Sequence, residues 1–199
     1  MQTRILNKPT LVSTLWPKAS ESTLRTLLLV VFGSLLLTVS AKISVPFYPV
    51  PLTMQTFAVL VIGMAFGPHL AIATVGFYLL QGAFGLPVFA GTPAKGIGWA
   101  YMIGPTGGYL LGFLIAAGVV SFLAQRGFDR SFVRTLVAMF IGTAIIYVPG
   151  FAWLAGIIGA DKAWTLGVQP FLLADGFKIV LAAIVLPAAW KLVGRKSGS

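Results

Sequence analysis

The sequence has no cysteine, a single histidine and only four acidic residues among its 199 positions. Without cysteine the chain can form neither a disulfide framework nor a thiolate site, and cysteine usage indicates no redox compartment. One histidine, His69, and four carboxylates leave little material for a metal site. We therefore expect no metal and no cofactor.

Charge is scarce as well. Charged residues make up 9% of the chain and hydrophobic residues 58%, whereas a soluble domain carries about 25% charged residues. The mean hydropathy of +0.96 agrees with a protein whose surface faces a lipid bilayer. The net charge of +10 could suggest nucleic acid, but the basic residues cluster beside apolar runs, so we expect no nucleic acid partner.

Six apolar runs are each long enough to cross a membrane as a helix. They cover residues 24–45, 51–67, 68–84, 105–124, 132–158 and 170–193. We predict an all-α, polytopic membrane protein with six transmembrane helices, a polar N-terminal arm at 1–23 with a short surface helix near 11–16, and a tail at 194–199. The first run resembles a signal peptide at Val39-Ser40-Ala41, but we expect it to be retained.

Glycine and proline punctuate these runs. Residues 85–104 are too broken for a regular span and too apolar for an ordinary exposed loop, which predicts a structured external loop. Pro149-Gly150 predicts an interruption in the fifth helix, and Pro187 predicts a kink in the sixth. Gly108 and Gly112 have the small-xxx-small spacing that favours close helix packing.

The distribution of lysine and arginine predicts the orientation. With a cytoplasmic N-terminus, three basic residues lie outside and ten lie inside, namely Arg4, Lys8, Lys18, Arg25, Arg126, Arg130, Arg134, Lys191, Arg195 and Lys196. Because cytoplasmic segments carry the excess of basic residues, both termini are predicted to be cytoplasmic.

An acid and a base, Asp175 and Lys178, lie three residues apart in the last run and therefore on one helix face. Such charges inside a membrane usually mark a ligand or ion pathway, although they can also form a structural ion pair. The topology places other polar or aromatic residues at the same outer end, namely Gln55, Tyr78, Gln81, Lys95, Tyr147 and Phe171. Singly, these are ordinary helix-end or interfacial residues; together they predict an outward-facing pocket for a small amphipathic solute.

Several sequence blocks resemble the BioY family, the biotin-binding S components of energy-coupling-factor (ECF) transporters. The blocks are Pro49-Val50-Pro51-Leu52-Thr53-Met54-Gln55-Thr56-Phe57, Gly85-Leu86-Pro87-Val88-Phe89-Ala90-Gly91, Gly104-Pro105-Thr106-Gly107-Gly108-Tyr109-Leu110-Leu111-Gly112-Phe113, and the Asp175…Lys178 pair. The resemblance covers most of residues 42–183.

The resemblance implies a six-helix bundle in the cytoplasmic (inner) membrane that captures biotin from outside. It implies that Asp175 accepts a hydrogen bond from a ureido N–H, and that Lys178 donates to the ureido oxygen or to the valerate carboxylate. It also implies a membrane coupling subunit and two cytoplasmic ATPases as partners. ATP hydrolysis would belong to those ATPases, because this chain contains no P-loop.

Two positions depart from the family pattern. Lys95 stands in a loop where many relatives carry arginine, and it would act as a point charge instead of a bidentate fork. The first helix has Gly33 and the Ser34-xxx-Thr38 spacing in place of a clean Ala-xxx-Ala docking pattern.

Three alternatives to a biotin S component stay open at this point. An S component for another vitamin would have the same outer pocket. A membrane-embedded enzyme is disfavoured because the sequence lacks cysteine, a histidine-rich motif and paired carboxylates. A structural subunit would use the Asp175–Lys178 pair for packing alone.

Overall fold

The computed structural model describes residues 8–16 and 22–196, and the side chains up to 193. The N-terminal arm is therefore described only in part, and Arg4, Lys18 and residues 197–199 lie outside the described residues. The helices of the described chain are α1 (Leu11–Leu15), α2 (Thr23–Lys42), α3 (Gln55–Phe66), α4 (Pro68–Ala83), α5 (Gly98–Met102), α6 (Gly107–Gln125), α7 (Phe132–Ile158), α8 (Ala160–Gly167) and α9 (Gln169–Lys196). Two short strands, β1 (Ser44–Val45) and β2 (Leu52–Thr53), pair antiparallel. The predicted all-α class is confirmed.

Within the described residues, four stretches are long and apolar enough to cross a membrane: α2, α6, α7 and the segment that contains α9. Two shorter helices, α3 with 12 residues and α4 with 16, lie among them. At 1.5 Å per residue they measure about 18 and 24 Å. They form a hairpin at Gly67, whose φ of +84° is a conformation that glycine adopts without strain.

Close packing of α6 against α7 depends on glycine. A Cβ at Gly108 would lie 2.3 Å from the carbonyl oxygen of Pro149, and one at Gly150 would lie 2.4 Å from the ring of Tyr109. On the next turn a Cβ at Gly112 would lie 2.8 Å from the backbone of Ile146. The packing interpretation of the Gly108–Gly112 spacing is confirmed, and this contact places tyrosines of α6 and α7 beside each other.

The structure differs from the sequence prediction at several boundaries. The fifth predicted helix is not interrupted: α7 continues through Pro149 from Phe132 to Ile158. A helix in an apolar environment keeps its backbone groups paired, which favours continuation through proline. Residues 51–54 are not helical, because Leu52–Thr53 pairs with Ser44–Val45. Helix α9 extends to Lys196, beyond the predicted end at 193, and α8 was not predicted.

The two ends of the bundle have different characters. At one end lie the β1–β2 hairpin, the 85–106 segment and α8. At the other end α1 packs beneath the bundle: Leu11 is buried, the Lys8 N–H donates to the Gln125 carbonyl at 2.8 Å, and Arg130 donates to the Pro9 carbonyl at 3.0 Å. The predicted short helix near 11–16 is confirmed. We refer to the first end as the hairpin end and to the second as the basic end.

Candidate ligand-binding site

A cavity of about 50 Å³ lies inside the hairpin end, between α3, α6, α7 and α9. Five of the eight predicted site residues line it, namely Gln55, Tyr147, Phe171, Asp175 and Lys178. The remaining polar lining comes from Thr53, Thr56, Tyr101, Thr106 and Tyr109. The sequence indicated that distant residues converge at this end of the bundle. The structure brings five of the eight together.

Asp175 lies at the edge of this cavity with 3% of its surface exposed. Its Oδ1 atom accepts hydrogen bonds from the Thr56 hydroxyl at 2.9 Å and from Lys178 Nζ at 2.6 Å. Its Oδ2 atom accepts from the Tyr147 hydroxyl at 2.6 Å. The carboxylate is therefore held by donors from three helices, α3, α7 and α9, which fixes its position.

Lys178 is held equally firmly. Its Nζ atom donates to the Thr53 carbonyl at 2.7 Å, to the Thr56 hydroxyl at 3.1 Å and to Asp175 Oδ1 at 2.6 Å. An ammonium group has three N–H donors, so all three have a protein partner. The pair forms a closed hydrogen-bonded unit with no net charge.

Aromatic and aliphatic side chains form the rest of the wall. The ring of Phe171 packs edge-on against Phe47 with centroids 6.2 Å apart. Tyr109 packs edge-on against Tyr147 at 6.3 Å, and its hydroxyl donates to the Gly167 carbonyl at 2.6 Å. The result is a mostly apolar chamber with a few fixed polar atoms, which is the usual construction of a small-molecule site.

The three other predicted residues do not line this cavity. Tyr78 is fully buried, accepts from Gln55 Nε2 at 2.7 Å and donates to the Val88 carbonyl at 3.1 Å. Gln81 accepts a hydrogen bond from the Ser34 hydroxyl and so joins α4 to α2. Lys95 donates to the Phe47 carbonyl at 3.2 Å. A polar residue near a predicted pocket can equally bond a neighbouring element: Tyr78 and Gln81 do so from α4, and Lys95 does so from the 85–97 segment.

These contacts fasten the 85–97 segment, whose residue Ala90 lines the cavity. Lys42, at the end of α2, donates to the Phe89 carbonyl at 2.9 Å and to the Thr92 carbonyl and hydroxyl at 3.1 and 3.0 Å. The Phe89 ring stacks on Tyr101 with centroids 4.9 Å apart. The Tyr101 hydroxyl donates to the Ala90 carbonyl at 2.9 Å. The segment therefore forms a firmly held cover.

Sequence reasoning missed Thr56, Tyr101, Tyr109 and Lys42 in this arrangement. Thr56 bridges the acid and the base, but its partner lies 119 residues away and nothing local indicates it. Tyr109 gave a usable signal, since it follows the helix start at Gly107–Gly108 on the same side of the membrane as the other candidates. Lys42 gave another, because it is one of only three basic residues on the side with little positive charge.

The polar atoms around the cavity are hydrogen-bonding groups. Among the described residues no group of three or more histidine, cysteine or acidic side chains could hold a metal ion.

The BioY family model matches residues 13–195.

The chain belongs to the BioY family.

Two relatives show the extent of the similarity to BioY proteins. The probable biotin transporter BioY of Pyrococcus horikoshii is 43% identical over 150 residues, which cover 75% of this chain and 86% of the relative. The biotin transporter BioY of Thermotoga maritima is 40% identical over 151 residues, with 75% and 86% of the two chains covered. The resemblance stated from the sequence blocks is confirmed.

The fold agrees with that of a solved structure. The S-component for biotin from an ECF-type ABC transporter superposes with a TM-score of 0.71 over 84% of this chain and 92% of the other, at 23% identity. At that identity the likeness concerns the fold. The helix arrangement of this chain is thus similar to that of a known membrane-protein fold.

Proposed function

We propose that this chain is the substrate-binding subunit of an ECF-type transporter, and that it captures biotin at the hairpin-end cavity for uptake across the membrane. Membership of the BioY family supports the substrate, since several members carry the name biotin transporter. The observation that carries the proposal is the buried Asp175–Lys178 unit at the edge of an apolar cavity. The proposed role is binding and transport, not catalysis.

The chemistry of the pair suits the ureido ring of biotin. A ureido group is neutral and carries N–H donors beside a carbonyl acceptor, so it matches a carboxylate acceptor next to an ammonium donor. We propose that Asp175 accepts from a ureido N–H and that Lys178 donates to an oxygen of the ligand. Since every Lys178 donor already has a protein partner, the ligand has to replace one of them. The Thr53 carbonyl, at 2.7 Å, is the partner that makes no hydrogen bond to Asp175, and we propose that the ligand replaces it.

The remaining predicted residues take different proposed roles. Gln55, Tyr147 and Phe171 line the cavity and would contact the ligand directly. Tyr78, Gln81 and Lys95 would act indirectly, because they hold the cover and the adjoining helices through Val88, Ser34 and Phe47.

The size of the cavity indicates a closed conformation. Its volume of about 50 Å³ is far below the roughly 300–1,000 Å³ of ordinary small-molecule pockets. Access for biotin therefore requires movement of the wall. The cover at 85–97 contributes Ala90 to that wall and is held partly by the long side chains of Lys42 and Lys95, so we propose that it moves as the ligand binds.

Orientation and partners follow from the same proposal. Helices α3 and α4 would complete six transmembrane spans with α2, α6, α7 and α9. The basic end, with Arg126, Arg130 and Lys191, would face the cytoplasm of a cell whose inner membrane holds the chain, with both termini inside. A membrane coupling subunit and two cytoplasmic ATPases would supply the energy, because no P-loop occurs in this sequence.

Equilibrium binding of biotin to the purified chain in detergent tests the proposal. The variants are Asp175→Asn and Lys178→Met. We expect each to weaken binding by about 10- to 100-fold, because a hydrogen bond to a charged group contributes about 1.5–3 kcal/mol.

The matched controls are Asp161→Asn and Lys162→Met on α8, which remove the same two charges from exposed positions. They should bind like the unmodified chain. Absence of biotin binding by the unmodified chain would refute the proposal, whereas binding that the Asp175 and Lys178 variants leave intact would refute the assigned site.

A further inference from the structure

A second and larger cavity, of about 640 Å³, lies at the basic end, on the opposite side of the bundle from the ligand site. It is enclosed by α1, the first turns of α2, the corner between α3 and α4, and the last residue of α6, Gln125. None of its lining residues belongs to the hairpin-end cavity. The proposed binding of biotin therefore does not explain this second cavity.

Its mouth is polar and positively charged. Lys8 and His69 line it together with the side chains of Ser13 and Gln125. Both Lys8 and His69 are exposed residues, and within the described part of the chain neither side chain has a hydrogen-bond partner. Among the described residues, no acidic side chain lines this cavity. The mouth is thus suited to an anionic group with several acceptor oxygens.

The position of Lys8 at this mouth is determined by the backbone. Its N–H donates to the Gln125 carbonyl at 2.8 Å, and Arg130 holds the next residue, Pro9, through a 3.0 Å bond to the carbonyl. Arg130 in turn stacks on the ring of Trp190 at 4.1 Å. Asp129 is fully buried and is not among the residues that line the mouth, although it interacts electrostatically with Lys8 and Arg130. Because the backbone at Lys8 and Pro9 is already fixed, Lys8 can bind an anion without a further entropic cost of ordering this part of the chain.

The floor of the cavity is apolar and runs toward the lipid-facing surface. Leu29 of α2 and Leu70 and Ala73 of α4 form it, with Phe66 of α3 beside them. Ala73 is exposed on the outside of the bundle. The cavity therefore joins a cationic mouth at the membrane surface to an apolar groove at the depth of acyl chains.

We propose that this cavity is a binding site for an anionic phospholipid, with the phosphate at Lys8 and His69 and one acyl chain against Leu29, Leu70 and Ala73. Complementarity of charge selects an anionic headgroup over a zwitterionic one, since basic residues at the membrane surface attract anionic lipids. The apolar groove selects a lipid over a free phosphate, which would leave that surface empty.

Native mass spectrometry of the full chain, released from nanodiscs with equal amounts of phosphatidylglycerol and phosphatidylcholine, tests this site. We expect retained phosphatidylglycerol to exceed phosphatidylcholine. We expect Lys8→Met with His69→Ala to reduce that preference about fivefold or more, in line with the contribution of a single basic residue near a membrane surface. Lys191→Met is the matched control, because it removes one charge from the same end without lining the cavity, and it should leave the preference unchanged.

A second variant separates a lipid from a free phosphate. Ala73→Trp fills the apolar floor at an exposed position and leaves the cationic mouth intact, so it should abolish lipid retention. Inorganic phosphate, added as a competitor up to millimolar concentration, should not displace the lipid. Equal retention of the two lipids, displacement by phosphate alone, or full retention by Ala73→Trp would each overturn the proposal.

Discussion

Removal of one partner of the Asp175–Lys178 pair should destabilise the protein far more than removal of both. The side chains of Lys178 and Asp175 are 13% and 5% exposed, respectively, and 2.6 Å apart, so Lys178→Met leaves a buried carboxylate without its cation. Breaking such a pair costs about 3–5 kcal/mol, while replacement of both charges is often close to neutral. For a chain of this size the single change corresponds to a decrease in the melting temperature of about 10 °C.

The double variant Asp175→Asn with Lys178→Met should recover most of that loss. The hydroxyls of Thr56 and Tyr147 lie 2.9 and 2.6 Å from the two carboxylate oxygens, so the asparagine oxygen can accept from one hydroxyl while its NH2 group donates to the other. The assay is thermal unfolding in detergent, followed by tryptophan fluorescence, for the four members of the cycle. If Lys178→Met melts together with the double variant, the two charges are not coupled and the reasoning fails.

Three further predictions concern the surroundings of the site. Lys42→Met should speed dissociation of biotin several-fold and expose the 85–97 cover to protease, because it removes three hydrogen bonds to Phe89 and Thr92. Lys42→Arg should restore slow dissociation and protease resistance. Unchanged protease cleavage of Lys42→Met would contradict the role of Lys42 in holding the cover. Gly108→Leu should prevent folding, since even a Cβ lies 2.3 Å from the Pro149 carbonyl, whereas Gly156→Leu, with open space around it, should fold normally. Asp129→Asn should raise the melting temperature at neutral pH, and that gain should disappear in acid. Burial raises the pKa of Asp129, partly offset by the Trp190 N–H, and one carboxylate oxygen has no partner among the described residues. The folded state therefore favours the protonated acid. The destabilisation caused by ionised Asp129 is present above its folded-state pKa and vanishes below its unfolded-state pKa. A lower melting temperature of Asp129→Asn at neutral pH would contradict this prediction.

Apolar runs predicted the helices well because hydrocarbon demands internally paired backbone over a fixed length. The same demand explains why the interruption predicted at Pro149 is wrong, since α7 continues through it. The sequence signal failed for 51–54, where four residues of an apolar run are not helical and two of them, Leu52–Thr53, form a short strand. Pairing with Ser44–Val45 decides that segment, and pairing is a tertiary event that hydropathy does not encode.

The candidate site was only partly predictable. Asp175 and Lys178 could be found because charges inside an apolar run are costly and conspicuous. Tyr78 and Gln81 carried an equally polar signal, but they bond the Val88 carbonyl and Ser34 instead of lining the cavity. Which neighbour a polar side chain contacts depends on helix rotation and packing. These cannot be derived from the residue's depth in the membrane and the side on which it lies.

The most direct test of the central claim is a structure of the purified chain with biotin bound. We expect the ligand in the hairpin-end cavity, with a polar atom of its ureido ring within hydrogen-bond distance of Asp175 or Lys178, and with the 85–97 cover displaced from its present position. Biotin bound elsewhere, or bound in this cavity without a contact to either residue, would contradict the account.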